Sequence, residues 1–147
     1  MYYSKDKKLL FSDSTTPITK SFLKTLAATP NIILDFNTIH FDLKSISEQC
    51  LNTRGVRFNS QDPGITAKSL SGGEVDINPE ANDALENDDA TQVIGVMQVG
   101  NQDYTVMITQ SGTIMSFSKL LNYEDKEHPM LEFAINLLDK IKYINKH

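Results

Sequence analysis

A chain of 147 residues, 39% hydrophobic and 22% charged, is long enough to bury a core without disulfide support and has ordinary globular composition. Its single cysteine excludes an internal disulfide and a cysteine-based zinc site, and no uninterrupted apolar run exceeds three residues, which excludes a transmembrane helix. The net charge of −5 is unevenly laid out: Met1 to Lys68 carries +3, Ser69 to Ser118 carries eight acids and no base, and Lys119 to His147 is neutral.

The first fifteen residues are polar, with Lys5, Lys7 and Lys8 ahead of Leu9-Leu10-Phe11. That apolar stretch is too short for a secretory signal, so a cytoplasmic protein is expected. Tyr2, Tyr3 and Leu9 to Phe11 are compatible with an edge strand or with a flexible end. Thr16-Pro17 signals a helix start. Ile18, Phe22, Leu23 and Leu26 then fall on one face, Lys20 and Lys24 on the other, and Pro30 closes the helix. Asn31 to Phe36 reads as a strand. Asp42 to Leu51 reads as a second helix, capped by Asp42, with Leu43, Ile46, Cys50 and Leu51 turned inward. Thr53 to Gly73 is punctuated by Gly55, Pro63, Gly64, Gly72 and Gly73 and reads as loop. Glu74 to Ile77 is a candidate short strand, and the polar stretch Glu80 to Asp89 reads as loop or a single helical turn.

The second half has clearer patterning. Val93 to Val99, Asp103 to Thr109 and Thr113 to Phe117 are β-rich runs separated by Gly100-Asn101 and Ser111-Gly112, the spacing of an antiparallel meander. Pro129 opens a helix over Met130 to Ile144 whose stripe is Met130, Ala134, Leu137, Leu138, Ile141 and Ile144. Lys140, Lys142 and Lys146 suit its C-terminal dipole. The sum is one α+β domain over residues 1–147: an antiparallel sheet of four to six strands with N-terminal and C-terminal helices packed on it.

Catalytic and metal motifs are sparse. His40 and Asp42 form a His-x-Asp pair, too small a set to hold a metal, and His128 reads as part of the turn before its helix. Cys50, with no partner motif, reads as a small buried apolar residue. Asp76-x-Asn78-x-Glu80 begins like a calcium loop but has Ala81 where the turn needs glycine and Asn87 where a bidentate glutamate is needed. Ser21-Phe22-Leu23-Lys24 has no companion motif. No catalytic residue, metal site or cofactor is assigned, so a binding protein is favoured over an enzyme.

The base-free segment argues against nucleic acid, because phosphate recognition needs a basic footprint. It suits a basic protein partner, with a solvated acidic face as the alternative. The candidate partner-binding residues are Glu74, Asp76, Glu80, Asp83, Glu86, Asp88 and Asp89.

Three features together resemble the SUKH superfamily of immunity proteins, in particular its third branch. They are an early helix and apolar strand (Phe22-Leu23 through Ile32-Ile33-Leu34), the stretch Val75-Asp76-Ile77-Asn78-Pro79-Glu80-Ala81, and a meander followed by a C-terminal helix. The last is carried by Ile94-Gly95-Val96-Met97, Tyr104 to Thr109, Gly112-Thr113-Ile114 and Phe133 to Leu138. Two departures are Ala27-Ala28 where relatives often have a glycine pair, and the lack of tryptophan. The resemblance implies an α+β protein that binds and neutralises a toxin domain of the nuclease or deaminase class. The other reading is a phage-type inhibitor or accessory subunit with no toxin partner.

Overall fold

The computed structural model describes residues 1–13, 16–29 and 37–142. The strand expected over Asn31 to Phe36, and Ile144 and Lys146 at the end of the last predicted helix, lie outside them. The architecture is α+β, with a two-stranded ribbon, a five-stranded antiparallel sheet and four α-helices among the described residues.

Met1–Asn37 belong to one compact unit and Thr38–Ile141 to another. In the first, Tyr2, Tyr3 and Leu9 to Phe11 are two strands rather than one. β1 (Tyr2–Ser4) pairs antiparallel with β2 (Leu9–Phe11), and the rings of Tyr2 and Phe11 lie 6.3 Å apart. Helix α1 (Thr16–Ala27) follows, and Ser12 Oγ lies 2.8 Å from Thr19 Oγ1.

In the second unit, Asp42 accepts the N–H of Ser45 and starts α2 (Leu43–Gln49) as expected, but the helix ends at Gln49 and Leu51 is exposed rather than turned inward. The meander is also as expected: β5 (Ala90–Val99), β6 (Gln102–Thr109) and β7 (Ile114–Ser116) pair in order. Along β5, Val93, Met97 and Val99 are buried while Ile94 and Val96 are only partly so, the period of a sheet with one covered face.

The region read as loop, Thr53 to Gly73, is instead a hairpin. β3 (Asn52–Asn59) pairs with β4 (Ala67–Ser71) on one side and with β5 on the other, giving the sheet order β4-β3-β5-β6-β7. The β3–β5 ladder has two register shifts, and the one at Thr53/Gly55 places its extra residue on β3, whereas the one at Arg57/Phe58 places it on β5. The first puts Gly55 and Val56 successively inside, so the inward set Thr53, Val56, Phe58 loses strict alternation with Arg54 and Arg57, and the strand reads as loop.

Two further expectations are corrected. Val75–Ile77 is a single 3-10 turn, not a strand, with Val75 buried and Ile77 73% exposed. The stretch expected to be loop or a single helical turn begins as a helix of two turns, α3 (Pro79–Glu86). Asn78 accepts the N–H groups of Glu80 (2.9 Å) and Ala81 (3.2 Å), Pro79 supplies a helix-ready first position, and Ala81, Ala84 and Leu85 are buried at helical spacing.

Helix α4 (Pro129–Lys140) buries Phe133, Ala134, Leu137 and Leu138. The Phe133 ring meets Tyr104 of β6 at 4.9 Å and Tyr123 at 5.8 Å between centroids, and Asn136 donates to the Tyr123 hydroxyl at 2.8 Å. The core of this unit therefore lies between one sheet face and helices α2, α3 and α4, built on residues such as Leu43, Leu85, Met97 and Leu137.

Candidate functional site

All seven acidic candidates are exposed, and they occupy one continuous stretch: the 3-10 turn, α3, and the turn after it. Glu74 and Asp76 flank Val75. Glu80, Asp83 and Glu86 recur every three residues on α3, on the side away from Ala81, Ala84 and Leu85. Asp88 and Asp89 form the exit. There the N–H of Asp89 donates to the carbonyl of Ala84 (2.9 Å) and that of Asp88 to Leu85 (3.4 Å), a Schellman closure with Asp88 left-handed at φ 59°.

Folding cancels part of this charge, which the sequence order conceals. Lys68 of β4 places Nζ 2.5 Å from Asp62 and 2.6 Å from Glu80, joining the β3–β4 loop to α3. Hydrogen bonding to Asp62, then to Glu80, raises the Lys68 pKa. Lys44 of α2 stands 2.8 Å from Glu86 and 3.8 Å from Glu48, and the Glu86 hydrogen bond raises its pKa in turn. His40 Nε2 lies 3.1 Å from Asp88 Oδ2, while Gln110 donates to Asp88 Oδ1 at 3.1 Å. The partners of Glu80, Glu86 and Asp88 lie 12 to 48 positions away in sequence, so no local signal marks them. His40, Lys44 and Lys68 thus bring positive or protonatable groups onto the base-free segment. Glu74, Asp76, Asp83 and Asp89 keep carboxylates without a hydrogen bond or ion pair among the described residues.

Two depressions adjoin these groups. One, of about 260 Å³, is lined by Leu70, Ser71, Gly72, Gly73, Glu74, Val75 and Asn78, where β4 runs into the 3-10 turn. A smaller one of about 90 Å³ lies between α2 and α3, with Asp76, Asn82 and Glu86 among its walls. The sequence marked Gly72-Gly73 only as punctuation.

Cys50 is the C-cap of α2 rather than an inward helical residue, and it is partly covered. Its thiol faces Gly95, where an added Cβ would lie 2.5 Å from Sγ, and it donates to the Ile46 carbonyl at 3.3 Å. Burial, with the nearby charge of Asp76, pushes its pKa up to about 11, so the thiol is protonated and unreactive at neutral pH. His128 holds the position before α4 and is exposed. Among the described residues, no three His, Cys, Asp or Glu side chains converge as metal ligands. No described helix is long and apolar enough to cross a membrane. The chain matches no family model, no curated protein and no solved structure.

Proposed function

We propose that this protein is a non-catalytic binding module that holds a basic protein partner against α3 and its flanking turns. The observation that carries the reading is the set of four exposed carboxylates, Glu74, Asp76, Asp83 and Asp89, that no cation among the described residues pairs with. Glu80 and Glu86, beside them on α3, are held in place by Lys68 and Lys44, which fixes the helix that carries Asp83. An acidic surface on a fixed support steers a cationic partner and accelerates association, most strongly at low salt.

The specific form we favour is an immunity protein whose partner is a toxin domain acting on nucleic acid. Such a domain needs a cationic cleft for phosphates, and an acidic face complements that cleft. The resemblance to the SUKH third branch points the same way. A phage-type inhibitor or accessory subunit would use the same surface with a different partner.

The test is co-expression with the toxin candidate encoded beside its gene, followed by association kinetics. In the variant Glu74→Gln/Asp76→Asn/Asp83→Asn/Asp89→Asn, the on-rate should fall about tenfold or more at low salt, and its salt dependence should flatten. Equal on-rates for variant and wild type across about 50–500 mM salt would refute the reading.

A further inference from the structure

Among the described residues, the five-stranded sheet ends on one side at β4, whose outer backbone has no paired strand. The bonds Ser60 N–H to Thr66 carbonyl and Gly72 N–H to Arg54 carbonyl, both 3.0 Å, set the phase of the β3–β4 ladder. With Val56 opposite Leu70 and Phe58 opposite Lys68, residues 66, 68, 70 and 72 turn their backbone groups toward β3. The N–H and C=O groups of Ala67, Ser69 and Ser71 therefore point away from the sheet. Among the described residues none of them forms a backbone bond to another segment.

Exposed edges are ordinarily blunted by charge, proline or a covering element. Here the one charged side chain on the strand, Lys68, is drawn aside to Asp62 and Glu80. Ala67, Ser69 and Ser71 have small side chains that leave the backbone open. The other edge, β7, is only three residues long and turns two of them, Ile114 and Ser116, outward.

We propose that the β4 edge receives an extended strand of the partner protein, hydrogen-bonded to Ala67, Ser69 and Ser71, with a lysine or arginine side chain of that strand seated in the neighbouring groove. Three outward residues at two-residue spacing offer the ladder of a strand addition. The groove of about 260 Å³ begins at Leu70 and Ser71, where the added strand would run off the edge, so a side chain has a place to enter. Its charge is decided by Glu74 in the wall and Asp76 next to it, neither of which pairs with a cation among the described residues. The inference rests on the basic-partner reading above and gives it a binding mode.

The probe is a capped heptapeptide of alternating threonine and valine with a central lysine, titrated into the full-length protein and followed by amide NMR and hydrogen exchange. Shifts at Ala67, Ser69 and Ser71, with exchange at those amides slowed about tenfold at saturation, are expected. A glutamate in place of the lysine should weaken binding about tenfold or more. Ser69→Pro removes only an outward donor and should abolish the effect. A peptide N-methylated on its edge-facing amides tests the same point with the protein unaltered. Absence of shifts at about 5 mM peptide, or shifts confined to other surfaces, would overturn the proposal. If the N-methylated peptide binds as well as its parent while lysine is still preferred, strand addition fails and the acidic-face reading stands. If the peptide pairs with β4 but the four-carboxylate variant leaves partner association unchanged, the strand site stands and the acidic-face reading falls.

Discussion

Asp88 is a residue in the wrong conformation for its type, held there by its neighbours. The left-handed region costs an ordinary residue roughly 1–2 kcal/mol, less for aspartate, and glycine nothing. In return its carboxylate gathers His40 and Gln110, but the His40–Asp88 pair is exposed at 61% and 62%, where such contacts contribute little. Asp88→Gly should therefore be as stable as wild type or up to about 1 kcal/mol more stable in urea unfolding. Cys50 shows the opposite case, a group governed by burial. Its pKa of about 11 exceeds the usual value of 9.0, so the folded state favours the neutral thiol. That contribution is complete below pH 9 and is lost as pH rises toward 11, because there the unfolded chain sheds its proton first. Alkylation by iodoacetamide should be much slower in the native protein than in urea at pH 8.5, and the two rates should converge as pH approaches 11.

Elements differ in how openly the sequence announces them. Helix α4 was legible because Leu137, Leu138 and Ile141 repeat at helical spacing after a proline, and all three are buried. Leu138 is 1% exposed, so Leu138→Ala should cost about 2–5 kcal/mol in equilibrium unfolding. The hairpin β3–β4 is not legible, because a bulge breaks the two-residue period of β3 at Gly55 and Val56. Nor is α3: its buried residues are two alanines and one leucine, too small a stripe to stand out among acids. The available signal was Asn78-Pro79-Glu80, a cap followed by two favoured first-turn residues. Since Asn78 satisfies two N–H groups, Asn78→Ala should lower stability by about 0.5–2 kcal/mol. The acidic stretch was visible as charge, but its division into Lys-paired and unpaired carboxylates was not. Lys44 and Lys68 reach it only through the tertiary fold.

At the scale of the whole sheet, three of the four strand pairings join neighbours in sequence: β3–β4, β5–β6 and β6–β7. The fourth, β3–β5, encloses β4, the 3-10 turn and α3, running from Asn52↔Val96 to Phe58↔Ala90. This one ladder carries both bulges, and a bulge fixes register, since slipping by one residue would turn Val56 and Val93 out of the core. The consequence is kinetic. Two hairpin assemblies can form quickly on their own, but bringing them together closes the long loop, and that step should dominate the folding barrier. Val93→Ala, on the central ladder, should slow refolding roughly in proportion to its loss of stability. Leu70→Ala, on the outermost strand, should act mainly by speeding unfolding, and stopped-flow chevrons would separate the two. A chain whose last-joined seam is also its least slippable has one slow step and little opportunity to trap itself in a shifted sheet.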